Sequence, residues 1–186
     1  MKILVLLSGG LDSAVILASL VQEHDEHKCS AIGFDYGQRH LTELNYAEEL
    51  AHRFGVPFLR CRIPPIPLID DVVFAGRNLV LAAHAISQAH AHKLDAIALG
   101  SNATDWHRFP DCRPPFYRAL DAAAESYGIG VLTPLLYHWK TDIVRKAREL
   151  GILDTTWSCY APTEHGKPCG KCLACVERDK AIAAAQ

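Results

Sequence analysis

The sequence predicts an α/β fold: an open parallel five-stranded sheet with a small C-terminal metal-binding lobe. Three observations carry that reading. Short apolar runs alternate with amphipathic stretches along the chain, the pattern of strand–helix units covered on both faces. A Ser-Gly-Gly loop follows the first run. Four of the seven cysteines crowd the last 28 residues.

Residues 2–7 form a short apolar run that reads as a buried strand. In 11–22, apolar residues at 11, 15, 16, 17, 20 and 21 give a helix packed on a sheet. Residues 29–35 are the second strand. A helix over 40–54 is ended by Gly55 and Pro57, and 58–63 is the third strand. Pro64, Pro65 and Pro67 then exclude helix and central strand, so 64–76 reads as a loop. An Ala-rich helix over 78–92 precedes a fourth strand at 94–99. Residues 101–115 are polar and Pro-bearing, a candidate functional loop. A helix at 116–127, a strand at 129–133 and a helix at 141–150 complete the sheet domain, 1–156. Residues 157–186 form the metal lobe, one compact unit with it.

A chain of 186 residues buries enough surface to make its own core. With 49% hydrophobic and 22% charged residues, it is not a disordered chain. Nineteen Lys and Arg against 21 Asp and Glu leave a charge of −2, which argues against direct nucleic-acid binding. No apolar run reaches membrane-span length, and the N-terminal run is too short for a signal peptide. The expected location is the cytoplasm.

In such sheets, ligands bind beyond the carboxyl ends of the strands. Those ends carry Ser8-Gly9-Gly10, Asp35-Tyr36-Gly37-Gln38 and Gly100-Ser101-Asn102. The first opens a helix. Its glycines admit conformations in which backbone N–H groups form an anion nest, and the helix N-terminus adds donors. Asp12 would hold magnesium or brace the loop. No Walker pattern occurs. At the other end, Cys169-x-x-Cys172-x-x-Cys175 with Cys159 supplies four thiolates, a closed tetrahedral set for structural zinc. An iron–sulfur cluster is the alternative, although the following Cys-Pro of a ferredoxin run is missing. Cys29, Cys61 and Cys112 read as packing. The histidines at 84, 90 and 92 read as a solvated helix face, and His165 as a surface residue.

The string Ser8-Gly9-Gly10-Leu11-Asp12-Ser13 is similar to the pyrophosphate loop of the ATP-pyrophosphatase (PP-loop) superfamily. Further motifs narrow the resemblance. Asp35-Tyr36-Gly37-Gln38-Arg39-His40, Gly76-Arg77-Asn78, Gly100-Ser101-Asn102-Ala103-Thr104-Asp105, Pro110-Asp111-Cys112-Arg113-Pro114, Thr133-Pro134-Leu135, Lys140 and Thr156-Trp157-Ser158-Cys159-Tyr160 run in one order over nearly the whole chain. Together they resemble the 7-cyano-7-deazaguanine synthase family of the queuosine precursor pathway.

That resemblance implies a Rossmann-like sheet of the adenine-nucleotide alpha hydrolase type. It also implies an ATP-dependent ligase that turns 7-carboxy-7-deazaguanine and ammonia into the nitrile, with ATP, Mg²⁺ and structural Zn²⁺, working as a homodimer. Ser8, Gly9, Gly10, Leu11, Asp12, Ser13, Asp35, Tyr36, Gln38, Arg77, Gly100 and Lys140 would bind ATP. Lys140, Arg77 and Asp12 would act on the phosphates as charge develops. Asn78, Asn102, Asp105, Phe109, Asp111 and Arg113 would hold the substrate. Asp105 or Asp111 would accept from the two N–H groups of its guanine-like edge, with Phe109 or Trp106 stacked on the ring. Asp111→Asn is expected to cut turnover at least tenfold with the fold intact.

The chain departs from the family at residues 64–75, where members carry a longer segment, and at Ala75, where they have proline. That departure leaves other readings. One is a compact relative that stops at the amide or passes the acyl group to a protein amine. The others are a tRNA-thiolating enzyme and a non-catalytic nucleotide-binding module.

Overall fold

The computed structural model of the protein describes residues 1–38, 41–64 and 76–185. Five strands, β1 (Ile3–Leu6), β2 (Cys29–Asp35), β3 (Phe58–Arg62), β4 (Ala96–Ala98) and β5 (Gly130–Leu132), form one sheet in the order β3-β2-β1-β4-β5. Every pairing is parallel, with Ile3 opposite both Cys29 and Ala96. The helices are α1 (Leu11–His24), α2 (Thr42–Arg53), α3 (Arg77–Ala91), α4 (Pro114–Glu125), α5 (Lys140–Glu149) and α6 (Leu173–Ala184). The 64–76 loop expected from the prolines falls, apart from its two end residues, outside the described residues.

Side chains alternate across β1 because successive residues of a strand face opposite sides. Ile3, Val5 and Leu7 enter a core built with α1, α2, α5 and α6. Leu4 and its neighbours Ile32, Phe34 and Ile97 enter a second core with α3 and α4. Residues such as Ile3, Leu17, Ile32 and Ile97 are fully buried, each stabilising the fold by roughly 1.5–3 kcal/mol.

Strand order reverses at β1, between β2 and β4. The chain leaves β3 and returns on the far side of β1, opening a crevice at the carboxyl ends of β1 and β4. Gly100 lets the chain after β4 lie against the start of α1. A Cβ there would stand 3.1 Å from Ser13 N and 3.3 Å from Asp12 Cβ.

The expected functional loop at 101–115 carries two short 3₁₀ turns, Ala103–His107 and Pro110–Cys112. Helix α6 was not anticipated. It leaves the cysteine segment and returns to the sheet domain, where Ala181 and Ala185 join the first core. Arg148 secures its end by donating to Ile182 O and Ala185 O.

Candidate active site

The phosphate-loop candidate is held shut by its own side chains. Ser8 N and Gly10 N donate to Ser13 Oγ and Ser8 Oγ, both at 3.2 Å, and Ser13 Oγ donates to Gly10 O at 3.1 Å. Gly9 adopts φ +84°, and a Cβ there would lie 2.0 Å from the Glu43 carbonyl oxygen. Helix α2 therefore packs directly on the loop, and only glycine fits. From the other side, Trp157 N donates to Gly9 O at 2.9 Å, so the C-terminal segment also starts on the loop.

Charge is concentrated beside it. Lys140, at the start of α5, grips both oxygens of Asp12, at 2.8 and 2.7 Å. Asn102 donates to Asp12 Oδ2 and to Asp105 Oδ2, at 3.2 and 2.8 Å. Burial raises the Asp105 carboxyl above the usual carboxylate range, and the Asp12 charge adds to this against Lys140. Two carboxylates bridged by one amide are suited to receive a divalent cation once Lys140 turns to a phosphate.

Arg77, the first residue of α3, faces Tyr36, Glu43 and Tyr160. Burial works against its charge, and these neighbours outweigh it and hold its pKa up. Glu43 is the counterpart. Burial pushes its carboxyl up to about 7, against the Arg77 charge and a hydrogen bond with Gln38.

These groups meet in one cavity of about 280 Å³, towards the small end for a ligand site. Ser8, Gly10, Leu11, Asp12, Ser13, Tyr36, Arg77, Gly100 and Lys140 line it, as do Asn78, Asp105 and Phe109. The remaining expected residues do not line it. Asp35 accepts from Gly37 N, and buried Gln38 ties Tyr36 N to Phe34 O, so both shape their own turn. Asn102 is fully buried as a brace. Asp111 is used by α3: its Oδ2 accepts from Asn78 N at 3.0 Å, and its carbonyl accepts from Asn78 Nδ2. Arg113 is exposed and donates to Trp106 O. Trp106 packs edge-on against Tyr137 and does not line the cavity. Cys112 does line it, buried, with its thiol pushed up to about 11 by burial. The histidines at 84, 90, 92 and 165 are exposed.

Sequence reasoning missed the lining residues Glu43, Trp157, Ser158, Tyr160, Ala174 and Glu177. Trp157, Ser158 and Tyr160 sat within a motif that carried the resemblance but had been given no site role.

Behind them lies the cysteine cluster. The sulfurs of Cys159, Cys169, Cys172 and Cys175 all lie within 4.8 Å of one another, with Cys172 Sγ and Cys159 Sγ 4.0 Å apart. Tetrahedral zinc with bonds of about 2.3 Å spaces its sulfurs by about 3.8 Å. The four thiols therefore fit one ion, whereas a four-iron cube holds its thiolates further apart. N–H groups of Lys171 and Cys172 pull the Cys169 thiol down to about 6, while burial pushes Cys175 up to about 12.

The model of the family described as "Queuosine biosynthesis protein QueC" matches residues 2–72 and 66–186. The two stretches meet in the Pro-rich segment, where the chain is short. The 7-cyano-7-deazaguanine synthase of Prochlorococcus marinus is 36% identical over 211 residues, covering 97% of this chain and 92% of that protein. That of Synechococcus elongatus is 37% identical, covering 97% and 90%, and that of Leptospira interrogans 34%, covering 96% and 85%. The alignment with the first exceeds the 186 residues of this chain, so that relative carries segments absent here.

Among solved structures, the U34-tRNA thiolase NcsA of Methanococcus maripaludis, with its [4Fe-4S] cluster, superposes with TM-score 0.62 at 16% identity. It covers 99% of this chain and 64% of NcsA. A glutamine-dependent NAD⁺ synthetase from Acinetobacter baumannii gives TM-score 0.59 at 19% identity, covering 80% of this chain and 28% of that enzyme. Both share the fold. With the family model matched over residues 2–72 and 66–186 and a relative 36% identical over 97% of its length, the chain belongs to the QueC family of queuosine biosynthesis proteins.

Proposed function

We propose that this protein is an ATP-dependent ligase that converts 7-carboxy-7-deazaguanine and ammonia into 7-cyano-7-deazaguanine. The observation that carries the reading is the shared cavity. It joins the Ser8–Ser13 loop and the Asp12–Lys140 pair to Arg77 and the cysteine lobe, in a chain 36% identical to a 7-cyano-7-deazaguanine synthase over 97% of its length.

A carboxylate is a poor electrophile. Its oxygen attacks the α-phosphorus of ATP, pyrophosphate leaves, and the acyl adenylate forms. Ammonia then adds to the acyl carbon, AMP departs with the former carboxylate oxygen, and one proton is lost to give the amide. A second ATP adenylates the amide oxygen with release of pyrophosphate and a proton. Loss of AMP and the remaining N–H proton leaves the nitrile.

Backbone N–H groups at Gly9 and Gly10, with the start of α1, would hold the phosphates. Lys140 would swing from Asp12 to the developing phosphate charge. Asp12 and Asp105 would hold magnesium, which when bound neutralises triphosphate charge. Cys159, Cys169, Cys172 and Cys175 would hold zinc as a structural ion. Leu6, Ile32, Phe34, Leu81 and Leu99 offer the apolar side of the cavity to adenine. The same reading takes a homodimer as the working unit, which sedimentation equilibrium measures directly.

The test is incubation of the metal-loaded protein with ATP, Mg²⁺, ammonium and the deazaguanine acid, with products read by mass spectrometry. The expected result is the nitrile with two AMP per turnover. An amide as the final product, or a mass increment on a protein, would replace the reading with that of the compact relative. Absence of acid-dependent AMP would overturn it.

A further inference from the structure

We infer that the heterocycle of the deazaguanine acid is seated against the cysteine lobe, with Tyr160 and Ala174 as the specificity-determining wall. The inference rests on the ligase reading and moves the acid away from the 101–113 loop, where the motifs had suggested it.

The two sides of the cavity differ in chemistry. The sheet side, with Leu81 of α3, is apolar, built of residues such as Ile32, Phe34 and Leu99 that belong to or pack on the second core, whereas Arg77 and Asn78 at the start of α3 are polar. The sheet side suits an uncharged ring. The lobe side carries Ser158, Tyr160 and Glu177 beside Glu43 and Arg77, a polar wall suited to a ring that bears a carboxylate and a row of N–H donors. Tyr160 joins Trp157 as an aromatic residue of the lobe that lines the cavity, and the Arg77, Glu43, Glu177 and Asp105 charges act on it.

Reach agrees with this placement. The reacting carboxylate must meet the phosphate loop, and the lobe begins on that loop through the Trp157 N to Gly9 O bond. A heterocycle leaning on Tyr160 is therefore next to the loop. The wall is built on backbone that the cysteine cluster would anchor on binding its metal, since Cys159 precedes Tyr160 and Cys172 and Cys175 flank Ala174 at the start of α6. Ala174 lines the cavity with one methyl group, so a larger side chain there would occupy the space the ring needs.

The test uses Ala174→Leu, which adds bulk, and Tyr160→Ala, which removes the aromatic face. Each metal-loaded variant is compared with the wild type in steady-state kinetics and in calorimetric titration of the acid with a non-hydrolysable ATP analogue present. Metal content and a thermal melt verify the fold. The expected result is a rise of at least tenfold in KM and in Kd for the acid in both variants, with KM for ATP within threefold. Acid binding within threefold of wild type in either folded variant would overturn the inference, as would an equal loss of ATP affinity. A wild-type protein with no acid-dependent AMP would overturn the ligase reading itself, and this inference with it.

Discussion

Glu43 shows how a residue acquires a property its own sequence neighbourhood does not announce. It lies in the first turn of α2, yet its backbone oxygen abuts Gly9 and its carboxyl is buried beside Arg77. The folded pKa of about 7 exceeds the ordinary value of 4.5. Between those values the folded chain keeps a proton that the unfolded chain releases, so this group makes stability fall as pH rises from about 4.5 to about 7. Glu43→Gln removes the effect. Melting temperatures of the ligand-free proteins should diverge in favour of Glu43→Gln between pH 5 and pH 8. A difference independent of pH would contradict the assignment.

At the scale of elements, the notable contact is between α3 and the loop after β4. Helix α3 starts at Arg77 after Gly76, which sits at φ +73° and offers no capping side chain. Asp111, 33 residues later in the chain, caps it instead through Asn78 N. The carboxylate also complements the positive end of the helix. Asp111→Ala should cost about 1 kcal/mol, a fall of roughly 2–4 °C in melting temperature for a domain of this size. Asp111→Asn keeps an acceptor oxygen and should melt close to wild type. Steady-state kinetics of Asp111→Asn then separate capping from substrate recognition: a tenfold loss without a stability change would restore the direct role suggested by its motif.

At the scale of the molecule, the cysteine lobe is integral to the sheet domain. Trp157 packs on Tyr46 of α2 with ring centroids 5.2 Å apart, and joins Cys159 and Cys175 in a small core. Arg178 of α6 donates to Thr156 Oγ1, Ser158 Oγ and Leu153 O. Structural zinc in small domains contributes about 10–16 kcal/mol, comparable with the roughly 5–15 kcal/mol of a whole domain. Chelation should therefore lower the melting temperature by roughly 10 °C or more. Exposure of Trp157 should red-shift the tryptophan emission in the same titration. A melt unaffected by a chelator that has removed the metal would show that the lobe is held by its packing alone.

The sequence by itself determined whatever depends on near neighbours. Short apolar runs specified the five strands, because the strands of a parallel sheet are covered on both faces. Ser8-Gly9-Gly10 specified a tight strand–helix loop, because glycine tolerates φ +84°. The cysteine spacing specified a four-thiol cluster that could hold a metal, because short turns bring such thiols together. Helix α6 was hidden behind that cysteine signal.

Only the tertiary structure decided which side chains share the cavity. Lys140 reaches Asp12 across 128 residues because α5 and α1 cover the same face of the sheet. Asp35 and Gln38 were absorbed by their own turn and Asp111 by α3, which local motifs do not reveal. Glu43, Tyr160 and Ala174 line the cavity because α2 and the cysteine lobe close on the loop after β1. Strand order and packing of distant segments set that convergence, and no local pattern encodes it.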